Sequence, residues 1–175
     1  MLAGMVTVIT LMALPQVQDT TTHKDTVPPP VAPAEPTIEQ IRYMDGLKTV
    51  TRGVAQLRDG LNRVSRTQQA DSGTRHSAAK RLGGLCGSAR SFIVSGRPKM
   101  QASAYTDSLK ILAKQLTTRL DSLNNTLPNC ERTAGRDPSV ATTLTTRLKS
   151  YDDALLAFRT SQAALYKPDS TKTQP

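Results

Sequence analysis

Ile38, Ile41, Met44, Leu47, Val50, Val54, Leu57, Leu61 and Val64 follow one another in steps of three or four residues. That spacing draws one apolar stripe along a helix of about 3.6 residues per turn. Three further stretches carry the same period. Ala78, Leu82, Leu85, Ala89 and Phe92 line one, and Tyr105, Leu109, Leu112, Leu116, Leu120, Leu123 and Leu127 line the next. Val140, Leu144, Leu148, Tyr151, Leu155, Phe158, Gln162 and Leu165 make the last.

Start and stop signals fall between the stripes. Pro36-Thr37 followed by Gln40 reads as a capping box, so the first helix opens there and runs to about Ala70, before Asp71-Ser72-Gly73. The second runs from about Arg75 to Ser95 and stops at Gly96-Arg97-Pro98. The third lies between Lys99 and Leu127, with Pro128 as its terminator. Asp137 as N-cap and Pro138 in the first turn start the fourth, which ends before Pro168. Amphipathic helices joined by short polar connections predict an all-α domain, an antiparallel four-helix bundle over residues 37–167. Loops interrupt the pattern too often for a sustained coiled coil.

Composition supports helix over strand. The chain of 175 residues has no Trp, two Phe and four Tyr, so the aromatic residues that strands favour are scarce. The ends are of another kind. Residues 1–18, MLAGMVTVITLMALPQVQ, carry no charged side chain and are mostly apolar through Leu14. A membrane-spanning helix needs ~20 apolar residues, so this segment reads as a signal peptide or a short membrane anchor. It lacks a leading Lys or Arg and an A-x-A cleavage pattern. Residues 19–36 hold Pro28, Pro29, Pro30, Pro33 and Pro36 among threonines, the composition of a flexible extended tether. Residues 168–175 read as a frayed tail. The expected location is exported, periplasmic or extracellular, with tethering through residues 1–18 as one form of it.

Charge changes the picture most. The formal net charge is +9. Within residues 75–119, Arg75, Lys80, Arg81, Arg90, Arg97, Lys99, Lys110, Lys114 and Arg119 stand against Asp107 alone, so that segment holds +8 of it. On the predicted helices these residues form a basic helical hairpin, either an ordinary solvated face or a surface for an anionic partner: lipid headgroup, wall polymer or acidic protein. A nucleic-acid module would add stacking aromatics, and the segment offers only Phe92 and Tyr105.

Candidate chemistry is sparse. The histidines are His23, in the tether, and His76, and no spacing gives either a nucleophile and an acid partner. Asp152 and Asp153 are adjacent and diverge by ~100° on a helix. Neither a metal-ligand cluster nor a phosphate loop is present as a motif, so no catalytic residue, metal or cofactor is expected. The stretch LGGLCGSARSF, residues 82–92, contains G-G-x-x-G but lacks the Lys-Ser/Thr ending of a P-loop and the spacing of a thiolate-phosphatase loop. Ala79, Gly83, Gly87, Ser91 and Ser95 recur every four residues, which reads as a small-residue row for close helix packing or an oligomer face.

Cys86 and Cys130 pull in two directions. Two cysteines in an exported chain predict one disulfide. A straight hairpin turning near residue 97 places Cys86 opposite residue 108, on the order of 30 Å from Cys130, and a bridge permits ~6 Å between Cα atoms. A kink at Gly83-Gly84, an early end to the third helix, or a folded-back 128–137 loop would reconcile them. Taken together, the residues predict a non-enzymatic binding or accessory module of the cell envelope, such as an auxiliary subunit of a membrane complex. A ligand-carrying bundle is the alternative, in its specific form holding haem between His76 and Met44 or Met100. A cytosolic nucleic-acid-binding bundle is the third reading.

Overall fold

A computed structural model describes residues 35–165. The signal or anchor segment, nearly all of the tether and the C-terminal tail lie outside the described residues. Within them the chain is helical without a strand, and four long helices pack against one another. These are α1 (Ile38–Arg66), α2 (Ser72–Gly96), α3 (Asp107–Asn124) and α5 (Ser139–Leu165), with a short α4 (Leu127–Thr133) before the last.

Local chemistry sets the ends. The Thr37 hydroxyl accepts the Gln40 backbone N–H at 3.3 Å, and the Gln40 side-chain oxygen accepts that of Thr37 at 2.9 Å, so the capping box is reciprocal. At the other end, α1 stops at Arg66, short of Ala70, where the Thr67 hydroxyl turns back onto the Arg63 and Val64 carbonyls. Asp71 accepts the Thr74 N–H at 2.9 Å and starts α2 three residues earlier than the apolar period suggests.

The α1–α2 pair is antiparallel and unusually close. Gly46, Gly53 and Gly60 are buried on α1, seven residues apart, and meet Gly96, Ala89 with Phe92, and Leu82 with Leu85 in reverse order. A methyl group on Gly46 would lie 2.6 Å from the Gly96 carbonyl oxygen, and one on Gly53 2.9 Å from that of Ala89. Neither distance is tolerable for a carbon, so the backbone spacing requires glycine. The row Ala79, Gly83, Gly87, Ser91 and Ser95 of α2 does not make this contact; the glycines that let the two helices meet are Gly46, Gly53 and Gly60 of α1, with Gly96 at the end of α2.

The third segment departs from expectation. The chain does not turn back at residue 97. Pro98 sits in a 3₁₀ turn, Arg97–Lys99, and a second turn, Ala102–Ala104, follows, carrying residues 97–106 along the start of α1. Met100 and Tyr105 are buried there. The Tyr105 ring meets Tyr43 and Phe158 with centroids 5.1 and 5.4 Å away, and Tyr43 and Phe158 lie 5.3 Å apart. The edge-to-face geometry of Tyr105 on both partners is the favourable one for π quadrupoles. Only then does α3 begin, at Asp107, whose φ of 48° is left-handed.

Arg97 anchors the return. Its Nε and Nη2 donate to the two carboxylate oxygens of Asp121 at 2.7 and 2.8 Å. Pro128, expected to end the third helix, instead occupies the first turn of α4. Cys130 of that helix is bonded to Cys86, with Cα atoms 6.1 Å apart. Both cross-links, 97 to 121 and 86 to 130, are centred on residues 108–109. The reversal therefore comes just before Asp107, about ten residues later than a straight hairpin placed it, which removes the predicted mismatch. The basic hairpin is corrected with it: α2 packs between α1 and α4, while α3 packs on α5.

Three outcomes follow for stability. Gly53→Ala should lose stability in urea unfolding, because overpacking of ~1–3 kcal/mol exceeds the ~1 kcal/mol gained in helix propensity. Gly84→Ala, where an added methyl meets nothing within 4 Å, should gain up to ~1 kcal/mol. Replacing both cysteines by alanine opens a bridge of sequence separation 44. It should lower the unfolding free energy by about 4 kcal/mol on the chain-entropy model.

Candidate functional site

Three groups of residues offer a surface to other molecules. The first is the basic set of residues 75–119. Arg75, Lys80, Arg81, Arg90, Lys99, Lys110, Lys114 and Arg119 are exposed. Arg97 is half-buried in its pair with Asp121, which raises its guanidinium above the ordinary value while desolvation opposes. These residues do not share one face. Arg75 and Arg97 stand at opposite ends of α2, about 33 Å apart at 1.5 Å per residue. On α3, Lys110 and Lys114 lie one turn apart on the flank of Asp121, and Arg119 points to the other side.

The second group lines a groove of about 770 Å³ between the N-terminal half of α1 and the C-terminal half of α5. Ile41, Met44 and Leu47 form its apolar part; Lys48, Arg52 and Arg159 stand further along it. The Arg58–Asp152 ion pair crosses the same α1–α5 seam six residues beyond Arg52. At the opposite end the Gln162 amide donates to the Met44 sulfur at 3.3 Å. Under the groove, burial pushes the Tyr151 phenol up to about 12, with the Thr51 hydroxyl beside it opposing that shift. The basic-segment count missed this site because its three cations belong to α1 and α5. The signal was present in Ile38 and Ile41, which continue the apolar stripe yet stay 74% and 55% exposed. Gly46 is already opposite the last residue of α2, so α1 outruns its partner there.

The third group lines a groove of about 360 Å³ where α1 ends and α5 begins, with Arg75, His76 and Arg136 at its edge. The haem reading needs His76 and a methionine to face one another. Met44 lies in the first groove and Met100 is buried against Gly46. The second groove holds Val64, twenty residues or about 30 Å along α1 from Met44, so neither methionine reaches His76. Among the described residues no three His, Cys, Asp or Glu side chains gather as a metal site requires.

The row Ala79, Gly83, Gly87, Ser91 and Ser95 divides along its length. A methyl on Gly83 would meet the Glu131 carbonyl oxygen at 3.2 Å, and one on Gly87 the Glu131 carboxylate at 3.0 Å, so this part accommodates α4. Ala79 is half-buried beside the second groove, and Ser91 and Ser95 are exposed. Cys86 is fully buried between α1 and α4 as half of the disulfide.

Two exposed carboxylates cap helices near the second groove. Asp71 is held below the ordinary carboxylate value by the Thr74 hydroxyl and N–H, and Asp137 by Ser139, whose N–H donates at 2.9 Å. No family model, curated protein or solved structure matches the chain. A folded-state value below the unfolded one gives stability that is present above the unfolded value, ~3.9 for Asp, and is lost as pH falls through the folded one. Stability measured by denaturant titration should therefore fall as the pH drops below about 4. The double variant Asp71→Asn, Asp137→Asn should lose less over the same window.

Proposed function

We propose that the chain is a non-enzymatic binding module of the cell envelope: a four-helix bundle on a Pro/Thr-rich tether that docks on an extended anionic surface. The observation that carries this reading is the exposure of eight of the nine cations of residues 75–119, with Arg97 alone of the nine in an ion pair among the described residues. The four on α2, Arg75, Lys80, Arg81 and Arg90, spread along ~22 Å, which suits repeated charge, as on a bilayer or a wall polymer, better than one small anion. Each Lys or Arg near an anionic surface contributes about 1 kcal/mol, so a few on one side give useful affinity without a shaped pocket.

Full-length protein should co-sediment with phosphatidylglycerol vesicles and not with phosphatidylcholine vesicles, and added salt should release it. The pair Lys110→Gln, Lys114→Gln should weaken vesicle binding by about tenfold or more, from two lost contributions of about 1 kcal/mol. Equal binding to neutral vesicles, or indifference to salt, would sink the reading.

A further inference from the structure

We infer that the groove between α1 and α5 binds a single-chain amphiphile with an anionic head, of which a fatty acid is the simplest kind. The polarity of the groove runs along its length. Ile41, Met44 and Leu47 supply an apolar stretch, and Lys48, Arg52 and Arg159 follow it, with Asp45 the one carboxylate on the lining. Gln40 and Arg52 both line it, twelve residues apart on α1, so the groove runs ~18 Å along that helix. The volume, about 770 Å³, is that of a small-molecule site.

Charge complementarity decides the occupant. An apolar chain with a carboxylate or phosphate at one end places its tail on the isoleucine and methionine side and its head among the three cations. A second copy of this chain would bring a net charge of +9 to a cationic rim. The uncharged residues 1–18 would leave the cations unanswered. An amphipathic helix of a partner needs apolar contacts at every turn, and this groove is apolar over only part of its length. The basic segment 75–119 contributes nothing to this groove, so the inference is independent of vesicle docking.

The test is calorimetric titration of the full-length protein with laurate, kept below its micelle concentration, beside dodecyl phosphate, dodecanol and dodecyltrimethylammonium. Laurate and dodecyl phosphate should bind one per chain, and dodecyltrimethylammonium at least tenfold more weakly. Arg52→Gln with Arg159→Gln should weaken laurate at least tenfold, and Ile41→Asp should abolish binding. Lys110→Gln with Lys114→Gln should leave it unchanged, and circular dichroism checks that each variant is folded. Equal affinity for the anionic and cationic probes, or many weak sites per chain, overturns the proposal. So does a dimer that Ile41→Asp dissociates without any laurate binding, or laurate binding that emerges only after residues 1–34 are removed.

Discussion

The distance between α1 and α2 governs the molecule. With glycine at 46, 53 and 60, the backbones touch where side chains would otherwise hold them apart. Close contact turns α2 so that Leu82, Cys86, Ala89 and Ile93 enter the core while Gly83 and Gly87 remain available for α4. Three glycines each weaken the helix by about 1 kcal/mol relative to alanine. The apolar surface that the close approach buries offsets this, since each fully buried Leu or Val contributes roughly 1.5–3 kcal/mol.

With α2 packed between α1 and α4, the chain leaving Gly96 does not reverse at once. It rises along α1 and is held there by the Tyr43–Tyr105–Phe158 cluster and the Arg97–Asp121 pair. The Tyr43 hydroxyl adds a donated bond to the Ala113 carbonyl at 3.4 Å, tying α1 to α3. Three of the six aromatic side chains of the protein are spent on this junction. The low aromatic content noted in the sequence is thus concentrated where three segments must meet, not diluted through the core.

What the sequence made legible was the set of helices and most of the core, because period and burial coincide: Leu47, Leu116, Leu120 and Phe158 are all fully buried. The capping box at Thr37 was equally readable, since its chemistry is local. The late reversal was not. Tyr105 continues the leucine stripe at helical spacing, and period alone cannot distinguish a residue of a helix from one set against it by tertiary packing. Pro128 misled for a related reason, being acceptable both after a helix and in the first turn of the next. The groove cations Lys48, Arg52 and Arg159 escaped because charge was summed along the chain, while the site is assembled across two helices more than a hundred residues apart in sequence.

The disulfide has a topological meaning beyond its thermodynamic one. The chain between Cys86 and Cys130 is a covalent ring containing the end of α2, both 3₁₀ turns, all of α3 and the start of α4. Pro98, Lys99, Gln101 and Ser103 are exposed within that ring. A single cut of the backbone there opens the ring without dividing the molecule, since both new ends stay joined through the sulfurs. The longest connection between α-helices among the described residues is also one at which a nick cannot separate the parts.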